Sequence, residues 1–149
     1  MDEIDVKIIE ILAENASIST TELAEKISLS IPATNKRVRK LQKDGIIARF
    51  TVVLDREKIN KKILAYVLVI LQSESGVRQL LDYVEKEPNI LECHAVTGEY
   101  DYLLKVCAVD VNGLEDMLLC LKRNKGVIKT HSLLSLQECK CMPTALPDH

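Results

Sequence analysis

The sequence predicts an α+β protein in two parts: an N-terminal helix-turn-helix of winged-helix type, then a C-terminal ferredoxin-like βαββαβ module. Three observations carry that reading. Apolar residues recur at helical spacing up to about residue 44, whereas after residue 62 strand-length apolar runs alternate with amphipathic helical ones. Charge is segregated, with −5 over residues 1–29, +7 over 30–62 and −4 over 63–149. Capping residues bracket the basic helix, Ser30 and Pro32 at its start and Gly45 at its end. The boundaries that follow are 1–50 for the helix-turn-helix, 51–62 for a linker strand and hinge, 63–141 for the ferredoxin-like module and 142–149 for a tail.

In the first part, Ile4, Ile8, Ile11 and Leu12 form one apolar face of a helix over 2–15. Asp2, Glu3 and Asp5 fall in its first turn, where the helix dipole favours acids, and Asn15 stops it. Ser19 or Thr20, with Glu22 following, caps a second helix whose apolar face is Leu23, Ala24 and Ile27. Ser28-Leu29-Ser30 is a tight turn anchored by Leu29. The third helix runs from the Ser30 cap to about Asp44. At about 100° per residue, Thr34, Val38 and Leu41 share one side, and Pro32, Lys36, Arg39, Lys40 and Lys43 share the other, flanked by Asn35 and Arg37. Ile46–Leu54 is β-branched and reads as extended chain, either a wing or a first linker strand, and 55–62 is a polar linker.

In the second part, 64–71 is an apolar run of strand length, 77–86 a helix faced by Val77, Leu80, Leu81 and Val84, and 90–97 a strand. Gly98-Glu99-Tyr100-Asp101 is a turn leading to a strand over 102–109. Asp110 caps a helix over 111–124, Gly126 ends it, and 127–136 is the last strand. The first strand is apolar on both faces, and the third nearly so apart from Lys105. In this fold both helices cover one sheet face, so the other needs a partner, and a second subunit supplies it.

A hydrophobic content of 47% supports a core, and 3% aromatics makes it an aliphatic one. No apolar run approaches the roughly 18 residues that cross a bilayer, and the acidic start is unlike a signal peptide, so a soluble cytoplasmic protein is expected. Five cysteines, an odd number confined to the second part, argue against a disulfide framework. Phosphate loop, nucleophile elbow and repeated metal spacing are all missing, so neither an enzyme, a cofactor nor a metal is expected. Cys139-x-Cys141 alone lacks the further ligands of a zinc site, for which His131 and His149 would have to be recruited.

The candidate binding residues lie on the third helix. A single-sign basic face on a capped helix after a short turn points to duplex DNA. Ala33, Asn35 and Lys36 lie near the helix N-terminus, where base edges are met, Arg39, Lys40 and Lys43 suit the phosphate backbone, and Arg37 is a further DNA-binding candidate at the flank of the basic face. Ser30 has the chemistry both to cap and to donate to a phosphate. An architectural DNA-packaging protein and a thiol- or metal-based sensor are the competing readings.

LAEKISLS (23–30), RVRKLQKDGII (37–47), TVVLD (51–55), VTGEYDYLLKV (96–106) and KGVIKT (125–130), in this order and spacing, resemble the Lrp/AsnC family of regulators. The resemblance covers about residues 2–141. It implies a DNA-binding helix-turn-helix, dimers that often associate into octamers, and an amino-acid effector bound near the glycine-containing loop, here Gly98, Glu99, Tyr100 and Asp101. Ser28 and Asn60 stand where the family often has glycine, so each is expected to take a left-handed backbone, which Asn tolerates better than most. Thr34 stands at a usual Val.

Overall fold

The structure, a computed structural model, describes residues Met1–Asn124 and Gly126–Asp148; Lys125 of the KGVIKT stretch and His149 lie outside the described residues. The chain forms two compact units, one of Met1–Val53 with the tail from Lys140, the other of Leu54–Cys139.

In the first unit, α1 (Glu3–Glu14) starts from a capping box: Asp5 N–H donates to the Asp2 side chain, and Asp2 N–H to the Asp5 side chain. α2 (Thr20–Ile27) is capped by Ser19, whose Oγ accepts from Glu22 N–H at 3.2 Å. Ser28 closes α2 with φ 56° and ψ 42°, the left-handed conformation anticipated for a residue in a glycine position. Ser28 N–H bonds Glu25 O and Leu29 N–H bonds Ala24 O, a Schellman closure that turns Leu29 inward. α3 (Ile31–Lys43) starts from Ser30 with Pro32 in its first turn, and Gly45 follows at φ +74°. The core is Ile8, Leu23, Ile27 and Leu41, with Ile4, Ile11, Leu12, Leu29 and Val38 around it. Thr34 is fully buried among them, its hydroxyl donating back to Ser30 O at 3.0 Å.

The strand expected over 46–54 is not formed in this chain. Phe50, Val52, Val53 and Leu54 are exposed, and 48–55 carries no regular structure. A strand needs hydrogen-bonding neighbours, and among the described residues no strand pairs with this stretch.

The polar linker is an ordered turn that opens the second unit. Asp55 Oδ1 accepts from Glu57 and Lys58 N–H, Lys61 N–H reaches back to Arg56 O at 2.7 Å, and Asn60 sits at φ 60°. Lys61 Nζ ties the turn to Asn89 Oδ1 at 2.6 Å.

β1 (Ile63–Leu71), α4 (Glu74–Lys86), β2 (Ile90–Ala95), β3 (Tyr102–Ala108), α5 (Val111–Arg123) and β4 (Val127–Leu134) follow in the expected order. The sheet is antiparallel with strand order β2-β3-β1-β4, the ferredoxin-like arrangement. Leu80 of α4 and Leu114, Met117 and Leu121 of α5 pack on Ala65, Val67, Val69, Leu104 and Val106, so both helices lie on one face. The register puts Leu64, Tyr66, Leu68 and Ile70 of β1 beside Leu103 of β3 and Leu133 of β4 on the other; Leu64 and its partner Cys107 are buried at one end of it, whereas Tyr66, Leu68, Ile70 and Leu103 are partly exposed. No helix or strand of the described residues covers that face.

Two glycines make a close crossing. Gly126, at φ +107°, meets Gly76 of α4, and a Cβ on Gly126 would fall 2.6 Å from the Gly76 Cα. Gln72 N–H donates to Gly126 O at 2.7 Å beside them.

Candidate nucleic-acid interface and ligand cleft

Ser30 sets where α3 begins and therefore which of its residues face solvent. Its Oγ accepts from Ala33 N–H at 3.4 Å, leaving the hydroxyl proton free to donate outward. With Thr34 and Leu41 buried, the exposed stripe is Ile31, Pro32, Asn35, Lys36, Arg39, Lys40 and Lys43. Ile31, Pro32, Asn35, Lys36 and Arg39 line a cleft of about 410 Å³ along the N-terminal half of the helix.

Two residues of the basic helix, Ala33 and Arg37, are half-buried and lie off the exposed stripe. Ala33 is half-buried beside the cap, short of the exposed stripe. Arg37 points to α1: its Nη1 donates to Asp2 Oδ2 at 2.7 Å and Asp5 Oδ1 at 2.8 Å. These bonds raise the Arg37 pKa, while the Asp5 N–H and the guanidinium hold Asp2 below the usual carboxylate range. Arg37 is therefore tied through Nη1 to the start of α1, which a helical wheel of α3 alone cannot reveal because both acids belong to another segment. Ile31, which a reading of basic residues passes over, falls one turn before Asn35 on the same exposed stripe.

In the second unit, Gly98 takes φ +105° in the β2–β3 turn, with no atom near where a Cβ would stand. Asp101 braces that turn. Its N–H donates to Val69 O at 2.9 Å, and its Oδ2 accepts from Leu71 N–H at 2.7 Å. One carboxylate oxygen is thereby committed to the fold. Asp101 also lines a cleft of about 350 Å³ with Leu71, Gln72, Ser73, Glu74, Val77, Ala95, Val96 and Tyr102. Gly98, Glu99 and Tyr100 do not line it, and the Tyr100 ring lies 6.2 Å from that of His131 on β4. Ser73, at the α4 N-cap, makes no side-chain cap bond, its hydroxyl pairing with that of Ser75 instead. The Gly76 and Val77 N–H groups bond the Ser73 carbonyl, so the start of α4, which lines the cleft through Ser73 and Glu74, has no side-chain cap.

A second polar group that the sequence did not disclose sits on the uncovered sheet face. Glu92 bridges His94 Nε2 at 3.1 Å and Lys105 Nζ at 3.0 Å, and those partners, His94 first, lower the Glu92 pKa. Among the described residues no three His, Cys, Asp or Glu side chains converge on a metal position, and Cys120, Cys139 and Cys141 are free and exposed. No helix of the described residues is long and apolar enough to cross a membrane.

Comparison with known proteins matches both units. Residues 1–48 fit the winged helix-turn-helix DNA-binding model, and residues 64–145 fit the Lrp/AsnC ligand binding domain. The transcriptional regulator AzlB of Bacillus subtilis is 34% identical over 121 residues, 80% of this chain and 77% of that protein. The regulator FL11 of Pyrococcus horikoshii is 30% identical over 140 residues, 94% of this chain and 92% of that one. A transcriptional regulator of Neisseria meningitidis, solved in complex with L-Met, superposes with a TM-score of 0.94 at 32% identity over 99% of this chain and 96% of that one. The chain is therefore a helix-turn-helix transcriptional regulator and belongs to the Lrp/AsnC family.

Proposed function

We propose that the chain acts in the cytoplasm as a sequence-specific regulator rather than an enzyme, binding operator DNA as a dimer or larger assembly under control of an amino acid. The observation that carries this reading is the exposed stripe of α3, where every charged residue is basic and the buried side is tied into the core. Asn35 and Lys36 near the helix N-terminus meet base edges, Asn suiting adenine N6/N7 and Lys guanine O6/N7. Arg39, Lys40, Lys43 and the Ser30 hydroxyl hold phosphates, which give affinity and salt dependence without sequence information.

A second copy covers the bare sheet face. Tyr66, Leu68, Ile70, Leu103 and Leu133, all at least partly exposed, form an apolar centre there, and such faces are buried in stable assemblies. A two-fold dimer presents two α3 helices to half-sites about one DNA turn apart. The cleft beside Asp101 takes the effector, with the α-ammonium near the second Asp101 oxygen and the α-carboxylate at the first N–H groups of α4. The L-Met complex of the Neisseria relative supports an amino acid as the class. Because Gly98, Glu99 and Tyr100 lie outside the cleft, their part is to hold the turn and face a neighbouring dimer.

Selection from random duplex DNA, followed by binding of the winner against salt, tests the reading. A near-palindromic site with a steep salt slope is expected. Salt-sensitive binding with no enriched sequence would replace it with DNA packaging. The same duplex then screens the amino acids, and an Asp101→Asn protein that keeps every amino-acid response would refute the cleft assignment.

A further inference from the structure

The acids at the start of α1 belong to the DNA-reading machinery, an inference that rests on the reading of α3 given above. All four carboxylate oxygens of Asp2 and Asp5 are engaged. Asp2 Oδ1 and Asp5 Oδ2 close the capping box, while Asp2 Oδ2 and Asp5 Oδ1 both hold the single nitrogen Nη1 of Arg37. Arg37 lies on α3 directly beside Lys36 and between the exposed stripe and the buried one. The remaining ties of α3 to α1 in the core are the apolar contacts of Leu41 and Val38 with Ile8 and its neighbours. Close packing sets how the helices cross, and the bridge from Arg37 to two carboxylates adds a directional restraint on the angle of α3 that a single apolar contact does not supply.

The amplification is geometric. Polar side-chain ends on a helix stand about 6 Å from its axis, so a turn of about 10° carries each by about 1 Å. That is enough to spoil hydrogen bonds to base edges, whose distances span only about 0.5 Å. Phosphate contacts by long lysine and arginine side chains are more forgiving.

We propose that Arg37 is a positioning residue, clamped by Asp2 and Asp5 so that it sets the rotation of α3 and the direction in which Asn35, Lys36 and Arg39 meet DNA. Both acids are held through Nη1 alone, so the clamp leaves the guanidinium's Nη2 and Nε outside the bridge.

The test measures affinity of the full chain for its selected duplex as a function of salt. R37Q, R37K and the double change D2N/D5N are compared, each confirmed folded and assayed well below its melting temperature. R37Q is expected to weaken binding about tenfold with the salt slope unchanged. D2N/D5N is expected to weaken binding as well, although removing negative charge beside a polyanion site ordinarily strengthens it. R37K retains most of the affinity, because one nitrogen suffices to bridge both acids. A fall in slope of about 0.9 per lost phosphate contact in R37Q, together with tighter binding by D2N/D5N, would make Arg37 a phosphate ligand and overturn the inference. Unchanged affinity in folded R37Q and D2N/D5N would reduce the clamp to a stabilising ion pair and overturn it too. Should R37Q fail to fold, R37K and D2N/D5N decide between the same outcomes. Wild-type protein that selects no duplex would overturn the DNA reading and the clamp with it; wild-type binding with the phosphate pattern in R37Q sinks the clamp alone.

Discussion

Changing Gly126 to Ala attacks the tightest backbone crossing in the second unit. The new Cβ would stand 2.6 Å from the Gly76 Cα, where carbon atoms need about 3.5 Å or more. The φ of +107° is itself a region that alanine rarely occupies, worth about 1–3 kcal/mol. Relieving the overlap moves the start of α4 by nearly 1 Å and strains the Gln72 N–H to Gly126 O bond, a further loss of about 1 kcal/mol. Together these come to about 3 kcal/mol, which for a unit of this size lowers the melting temperature by roughly 12–24 °C. Gly76→Ala is far milder. Its Cβ meets the same backbone at 3.1 Å from a helical conformation that favours alanine by about 0.5–1 kcal/mol. Gly45→Ala, with φ +74° and open space around it, isolates the conformational cost alone. Calorimetry at one fixed protein concentration reads all three, since assembly makes melting concentration-dependent. A Gly126→Ala protein melting within about 3 °C of wild type, or a Gly76→Ala protein damaged equally, would refute the reasoning. Because Gln72, Ser73 and Glu74 line the cleft just ahead of Gly76, the same change is expected to blunt the amino-acid response.

Three further outcomes are expected. Ser28→Gly relieves a left-handed serine and stabilises the first unit by about 0.5–1 kcal/mol, visible as a higher denaturation midpoint; a lower midpoint would mean that the turn is not strained. Leu68→Glu places a charge in the middle of the bare sheet face and gives monomers in sedimentation velocity, whereas an unchanged sedimentation coefficient would place the subunit contact elsewhere. Asp2 has its pKa depressed in the folded chain, so its contribution to stability is complete above the unfolded value and lost as pH falls through the folded one. Stability from this ion pair therefore holds from neutral pH down to about 4 and declines only below it; a loss specific to Asp2 between pH 5 and 7 would contradict the clamp geometry.

Local signals carried most of the fold. The helix starts at Ser19, Ser30 and Asp110, the stop at Gly45 and the left-handed turns at Ser28 and Asn60 are each decided by a few neighbouring residues. The apolar two-faced β1 was equally legible from its unbroken apolar run. What escaped depends on residues distant in sequence. Arg37 reads as one more base on a basic helix until Asp2 and Asp5 are brought beside it, 35 and 32 residues away. Glu92 and Lys105 meet through strand register, which periodicity does not supply. Phe50–Leu54 has strand composition without strand structure, since composition records propensity and pairing needs a partner. In the loop, the glycine turn was plain from Gly98, but only the hydrogen bonds of Asp101 separate the residue lining the cleft from its three neighbours.

The acidic α1 and α2 and the basic α3 make the first unit an electrical dipole as well as a scaffold. A polyanion that meets the acids not paired with Arg37 is turned away, while one approaching the exposed stripe of α3 is drawn in. The field therefore exerts a torque during diffusion, so that collisions arrive already facing the right way and fewer are wasted. Raising the ionic strength removes this alignment together with the attraction, once the screening length falls below the width of a three-helix unit. Search speed in the cell and affinity at the operator are thus set by the same charges through two different quantities, an encounter rate and a residence time.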